Sequence, residues 1–306
     1  MPRPITLFEN LRAVPYTPFY LAIARGDWAR EGIDVRVETS PAMNQTAAAL
    51  LDGRADVSWG GPMRVMTYHD ADPKSPLICF GQVVAGDPFI LVGRTRKRNF
   101  RFADLIGQRI AVAIEAPTPW LTLQDDVGRA GIDPHSLRRL KDRPMAENVA
   151  LFRRGRLDVV QVFEPYADAL VQSGKGHIWH RFATRGDIAY TSFYTTRKFT
   201  RRNRKTCEAL VRGIVRAQAA LHSETPDQIA SQIGSFFPDF KKAALARMIK
   251  GYRDSGLWAR TPALPAEAFT RLKAALISGG LIASDPPYER LVDASLSNAF
   301  DEDTQS

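Results

Sequence analysis

The residues able to do chemistry in this 306-residue chain form a set suited to holding a small molecule. Asn10 follows a short apolar strand, where its amide can both donate to and accept from a polar ligand. Tyr16 and Phe19 stand just beyond, with faces able to sandwich a planar group. Trp59 ends a second apolar run and is followed by Gly60 and Gly61. Glycines there let backbone N–H groups approach a ligand oxygen. Glu115, Thr118 and Trp120 occur in the segment EAPTPW after another strand, and Glu164 precedes Pro165. Several have a structural alternative: a turn or cap for Asn10, core packing for Phe19 and Trp59, a plain turn for the glycines, a helix cap for Glu164.

The residue types that catalysis or metal binding would need are poorly placed. No Ser-His-Asp order and no GxSxG elbow occurs. The five histidines are scattered, and His177 and His180 beside Trp179 match no metal spacing. The two cysteines, Cys79 and Cys207, lie in an apolar run and a helical pattern. They read as buried inert thiols, with a disulfide between them left open. We therefore expect no metal, no cofactor and no catalytic residue.

These residues must be carried by elements that the hydrophobic pattern predicts. Strands are expected near 5–9, 33–39, 55–59, 77–84, 89–93, 109–114, 157–163 and 190–196. Helices are expected over 18–32, 44–52, 120–130, 144–154 and 165–173, and helices dominate from 205 onward. Strands alternating with helices point to βαβ units and mostly parallel sheets. Hydrophobic residues are 44% and charged residues 25%, an ordinary globular balance. Length suggests about two units at 100–200 residues each. The formal net charge of +9 is spread thinly, and its densest runs, 94–101 and 197–205, stand beside no nucleic-acid-binding motif. They read as solvated surfaces, and no nucleic-acid partner is expected. No apolar run reaches the roughly 18–20 residues of a membrane span.

One internal repeat is visible. Residues 43–57 (MNQTAAALLDGRADV) match 145–159 (MAENVALFRRGRLDV) at Met43/Met145, Ala48/Ala150, Gly53/Gly155, Arg54/Arg156, Asp56/Asp158 and Val57/Val159. Each copy reads as a helix, a glycine stop and a strand. The residues after each strand lie at its carboxyl end, where open α/β sheets place ligands. Two such ends facing each other would form a cleft.

Several stretches in order resemble the substrate-binding proteins of ABC importers for nitrate, taurine, alkanesulfonates and thiamine-pyrimidine precursors. They are 19–37 (FYLAIARGDWAREGIDVRV), 46–61 (TAAALLDGRADVSWGG), 104–112 (DLIGQRIAV), 155–165 (GRLDVVQVFEP) and 190–199 (YTSFYTTRKF). The resemblance implies the two-lobed type II periplasmic-binding fold, α/β throughout, with a mixed, mostly parallel sheet in each lobe. Lobe one would comprise 1–88 plus 190–306, and lobe two 89–189. A small organic molecule, heteroaromatic or sulfonate-like, would bind between the lobes and be buried by hinge closure. A monomer would then deliver it to a membrane permease.

The resemblance adds Tyr190 and Thr191, at the start of the return strand, to the expected ligand residues. It also marks departures. The family's counterpart of 115–120 is small and rich in Ser and Gly, whereas here two prolines remove amides and Glu115 adds charge. Glu115 and Glu164 together point to a ligand with donors or positive character. The other reading is an enzyme of the same fold, a desulfinase-like hydrolase or a pyrimidine-precursor synthase-like protein acting on an aromatic substrate. Ala13 and Val14 stand where such a hydrolase would carry its cysteine. No secretory signal is visible at the N-terminus. The resemblance implies an extracytoplasmic place, periplasmic or membrane-associated, if a signal has been removed, and a cytoplasmic one if the chain is complete as given.

Overall fold

Local patterning resolves into two sheets that the chain visits alternately. The computed structural model describes residues 3–42 and 45–297. In chain order the first elements are β1 (Ile5–Glu9), α1 (Thr17–Ala24), β2 (Val35–Thr39), α2 (Thr46–Leu51), β3 (Val57–Gly60), α3 (Met63–Ala71) and β4 (Leu77–Val84). Next come β5 (Ile90–Gly93), β6 (Ile110–Ala111), α4 (Thr118–Arg129), α5 (Met145–Arg153), β7 (Val159–Val162), α6 (Tyr166–Gln172) and β8 (His177–Arg181). The return strand β9 (Thr191–Thr196) leads into α7 (Arg197–Arg202), α8 (Arg204–Ser223), α9 (Pro226–Ile233), α10 (Lys242–Asp254), α11 (Ala266–Ser278) and α12 (Tyr288–Leu291).

The first sheet has the order β2-β1-β3-β9-β4 and the second β6-β7-β5-β8. In the first, β1 runs parallel to β3, while β9 is antiparallel to both β3 and β4. In the second, β6 runs parallel to β7, while β5 is antiparallel to both β7 and β8. The four strands β1-β3-β9-β4 thus match β6-β7-β5-β8 in order and direction. Both sheets are mixed. The chain crosses between them twice, from β4 to β5 and from β8 to β9.

The repeat seen in the sequence is the shared joint of this arrangement. Gly53 after α2 and Gly155 after α5 both take the left-handed backbone, with φ of 80° and 74°. Such a conformation closes a helix at little cost only for glycine. Asp56 then accepts from the Thr6 amide at 2.9 Å and from Arg3. Asp158 accepts from the Arg109 amide at 2.9 Å and from the Arg109 guanidinium. Each aspartate ties its strand to the parallel neighbour, and Arg109 holds the Asp158 carboxyl down at about 2. Met43 and Asn44, at the start of the first copy, lie outside the described residues.

The first-sheet core is closed by α8. Its apolar residues Cys207, Leu210, Val211, Ile214, Ala217 and Leu221 recur at helical spacing and are all buried. Each large aliphatic side chain so buried contributes about 1.5–3 kcal/mol. Gly213 makes room on this face: a Cβ there would stand 2.1 Å from the Trp28 ring. The C-terminal helices also reach the second sheet's helices. Arg247 of α10 pairs with Asp168 of α6 at 2.9 Å, and α11 packs on α4.

Several elements differ from expectation. The helix expected over 18–32 ends at Ala24, because Gly26 and Gly32 adopt left-handed φ and the chain turns between them. The strand expected over 109–114 keeps only Ile110–Ala111, since the Val112 carbonyl accepts from the Asn148 side-chain amide. Three elements have no counterpart among those expected: α3, with its polar composition, α7, in the basic run read as a solvated surface, and β8, where Trp179 is buried against Gly93. Cys79 and Cys207 are free, buried thiols, so the disulfide left open does not form. Among the described residues no helix is long and apolar enough to cross a membrane.

Candidate ligand-binding site

A cavity lies where strand ends of both sheets meet the two crossovers. Asn10 and Tyr16 enter it from the turn after β1, and Gly61 and Arg64 from the β3–α3 junction. The first crossover contributes Pro88 and Phe89, and the second Ala189 and Tyr190, with Thr191 at the start of β9. Glu115 and Thr118 come from the β6–α4 segment, Phe163 from the end of β7, and Leu272 from α11. The empty volume is about 660 Å³, part of it open to solvent. The enclosed room is smaller, about 50 Å³, below the roughly 300–1,000 Å³ typical of small-molecule sites.

Of the twelve residues expected to hold ligand, seven line this cavity: Asn10, Tyr16, Gly61, Glu115, Thr118, Tyr190 and Thr191. Asn10 Nδ2 donates to Tyr16 Oη at 3.0 Å, while its Oδ1 accepts from the Leu11 amide. The amide is thus both a turn residue and a support for the phenol. Tyr16 and Tyr190 are raised above the ordinary tyrosine pKa by burial, so both keep their protons at neutral pH. The Tyr190 hydroxyl is shielded from solvent and has no hydrogen-bond partner among the described residues.

The other five stand apart. Phe19 and Trp59 are fully buried in the first-sheet core, where their rings stack at 4.2 Å. Gly60 lies behind the wall, and a Cβ on it would meet Arg64 Nη1 at 3.2 Å and Tyr194 Cε1 at 3.3 Å. Trp120 is turned to Arg139, whose guanidinium lies 4.3 Å over its ring. Glu164 is 2% exposed and caps α6, accepting from the Asp168 amide at 2.7 Å.

The two carboxylates expected to meet a ligand are placed differently. Glu164 does not reach the cavity. Glu115 lines it, but its oxygens accept from the Met145 amide at the start of α5, at 2.8 Å, and from the Ile114 amide at 3.0 Å. Unsatisfied amides of a helix N-terminus attract a nearby carboxylate. Burial pushes Glu164 up to about 7, against the pull of the Asp168 amide and Arg181.

The charged residue that sequence reasoning passed over is Arg64. It is 9% exposed, sits in the first turn of α3 and lines the cavity. Its signal was position: it stands just past the strand end Gly60-Gly61-Pro62, where a proline opens the next helix. Among the described residues no His, Cys, Asp and Glu cluster has the makeup of a metal site. Neither thiol lines the cavity, and burial pushes both up to about 12.

Two mixed sheets of matching order, crossed twice by the chain with a cavity at the crossing, define a protein of the periplasmic-binding-protein fold. The chain belongs to the NMT1-like family, whose match extends over residues 11–234. It is 24% identical over 299 residues to a Bacillus subtilis (strain 168) protein provisionally named binding protein YtlA, covering 95% of this chain and 88% of that one. Among solved structures, the periplasmic aliphatic sulphonate binding protein SsuA from Escherichia coli superposes with a TM-score of 0.74 at 16% identity, covering 95% of this chain and 97% of that one. The periplasmic nitrate-binding protein NrtA from Synechocystis PCC 6803 gives 0.71 at 15% identity, covering 96% and 86%.

Proposed function

We propose that this protein is the solute-binding component of an ABC importer, capturing one small organic molecule between its lobes and presenting it to a membrane permease. The observation that carries this reading is the placement of the cavity. Its walls come from both sheets and from both crossovers, so rotation about the crossovers would open and close it. The lobes in this reading are 1–88 plus 190–306, and 89–189. The residues facing the ligand are Asn10, Tyr16, Gly61, Arg64, Thr118, Tyr190 and Thr191. The protein acts as a monomer, outside the cytoplasm, as the names of its periplasmic structural neighbours suggest.

Capture is favoured over catalysis by the state of the reactive groups. A sulfinate-cleaving relative would need a thiolate at the cavity, and both thiols here are buried elsewhere with their protons held tightly. The test is native mass spectrometry of freshly purified protein, with small-angle scattering. A retained small molecule, lost on partial denaturation, and compaction when it is added back are the expected results. Chemical conversion of the added molecule would overturn the reading.

A further inference from the structure

We propose that the ligand is a monocarboxylate on a flat, apolar body, and that Arg64 receives its carboxylate. This inference rests on the capture reading above. Three observations carry it. The first is that the structure keeps space for this guanidinium. A Cβ at Gly60 would approach Arg64 Nη1 to 3.2 Å, and a Cβ at Gly61 would stand 3.7 Å from the same atom and 3.3 Å from the Tyr190 carbonyl. A Cβ at Gly60 would thus press on the guanidinium by a few tenths of an ångström, and one at Gly61 would press on the Tyr190 carbonyl while only touching the arginine.

The second observation is the balance of donors and acceptors. Tyr16 Oη already accepts from Asn10, so its own proton is left to donate elsewhere. Tyr190 Oη is shielded and unpartnered among the described residues. The Asn10 and Glu115 oxygens are turned to backbone amides of Leu11, Ile114 and Met145. The wall therefore offers a ligand two phenol protons and a guanidinium, whose several N–H donors can serve more than one partner at once. A planar guanidinium fork matches a planar two-oxygen carboxylate, and phenols can donate to the same oxygens.

The third observation is the apolar part of the lining. Phe89 and Phe163 meet edge to face at 5.2 Å and 72°, with Pro88 and Leu272 beside them. Flat apolar surfaces of this kind suit a ring.

The experiment is a thermal-shift and calorimetric series on the intact protein with benzoate, cyclohexanecarboxylate, benzenesulfonate, benzamide and benzylamine. Stabilisation by a carboxylate, absent with benzamide and benzylamine, is expected. Arg64→Gln should weaken that binding at least tenfold, and Tyr190→Phe several-fold. The melting temperature of each unliganded variant reports whether it still folds. Equal binding of benzamide or benzylamine, tighter binding of benzenesulfonate, unchanged affinity in folded Arg64→Gln, or no binding across the series would overturn the assignment. A neutral or cationic molecule carried through purification would also overturn it while leaving capture intact. Capture itself fails if the protein neither carries nor closes on a small molecule, or if it converts the molecule it takes up.

Discussion

Asp87 and Arg185 stand on different crossovers and meet at 3.0 Å in the interior. Arg185 also reaches Asp126 of α4, and Thr122 of the same helix donates to Asp87 at 3.0 Å. Arg271 of α11 donates to the Arg185 carbonyl at 2.9 Å. All three ionic side chains are at least nine-tenths buried. The two connections between the sheets are thereby pinned to each other and to a helix on either side, directly behind Tyr190 and Phe89. Burial raises both aspartates above the ordinary carboxylate range, opposed by the arginine they share.

Removing the shared cation should be costly. Arg185→Met leaves two buried carboxylates without compensation and is expected to destabilise by about 3–5 kcal/mol near neutral pH. The loss should shrink in acid, where the aspartates take up protons. The triple variant Asp87→Asn, Arg185→Met, Asp126→Asn should recover much of it. Urea unfolding of the single and triple variants checks this, and equal stability of Arg185→Met and wild type would refute it.

Two buried groups should tilt stability with pH in opposite directions. Glu164 is raised by burial from the ordinary 4.5 to about 7. Its folded form binds the proton more tightly than the unfolded chain does, so its contribution is full below 4.5 and is lost as pH rises to 7. The difference is at most about 3 kcal/mol. His180, packed among Phe100, Phe102 and Phe182, is lowered by burial from 6.5 to about 4. Its contribution is full above 6.5 and is lost as pH falls to 4. Between 4.5 and 6.5 the slopes oppose each other. Glu164→Gln should expose the histidine's rise with pH, and His180→Phe the glutamate's fall, in unfolding free energies measured across this window.

The repeated joint gives a paired prediction. Gly53→Ala and Gly155→Ala each force a left-handed conformation on a residue with a Cβ, at about 1–2 kcal/mol. A Cβ at Gly53 meets nothing within 4 Å, and one at Gly155 meets only Arg94, 3.8 Å away or more. The cost is therefore conformational at both sites. The two variants should lose similar stability, and the losses should add in the double variant because the sites are far apart. Chemical denaturation of the three variants provides the measurement.

Thiol chemistry offers a quick check of the interior. Cys79 and Cys207 are buried and pushed up to about 12, so neither supplies thiolate at neutral pH. A disulfide-exchange reagent should react with no thiol in the native protein and with two after denaturation. Rapid modification of either native thiol would contradict the packing of β4 or α8.

Much of the architecture was legible in the residues. The apolar run LICFGQVV is β4 over its full length, and the α8 register comes from its apolar spacing. The repeat around Gly53 and Gly155 marked the shared joint of both sheets, because a left-handed helix stop is a local requirement that selects glycine wherever it occurs. Asn10, Tyr16, Gly61 and Thr118 line the cavity as expected because cavities in such sheets gather at strand ends, which are locally encoded, whereas Tyr190 and Thr191 came from the resemblance of the return strand.

The tertiary structure decided which chemical groups at those ends remain available. Glu115 and Glu164 looked like ligand contacts in sequence, yet each is turned to a helix N-terminus, an arrangement set by the placement of α5 and α6. Trp59 was absorbed by stacking on Phe19, and Arg64 came forward because α3 starts over Gly60 and Gly61. Backbone propensity and apolar periodicity act over a few residues and are written into the chain. The direction of a polar side chain depends on donors and acceptors brought to it from distant segments, and those exist only once the two sheets are assembled.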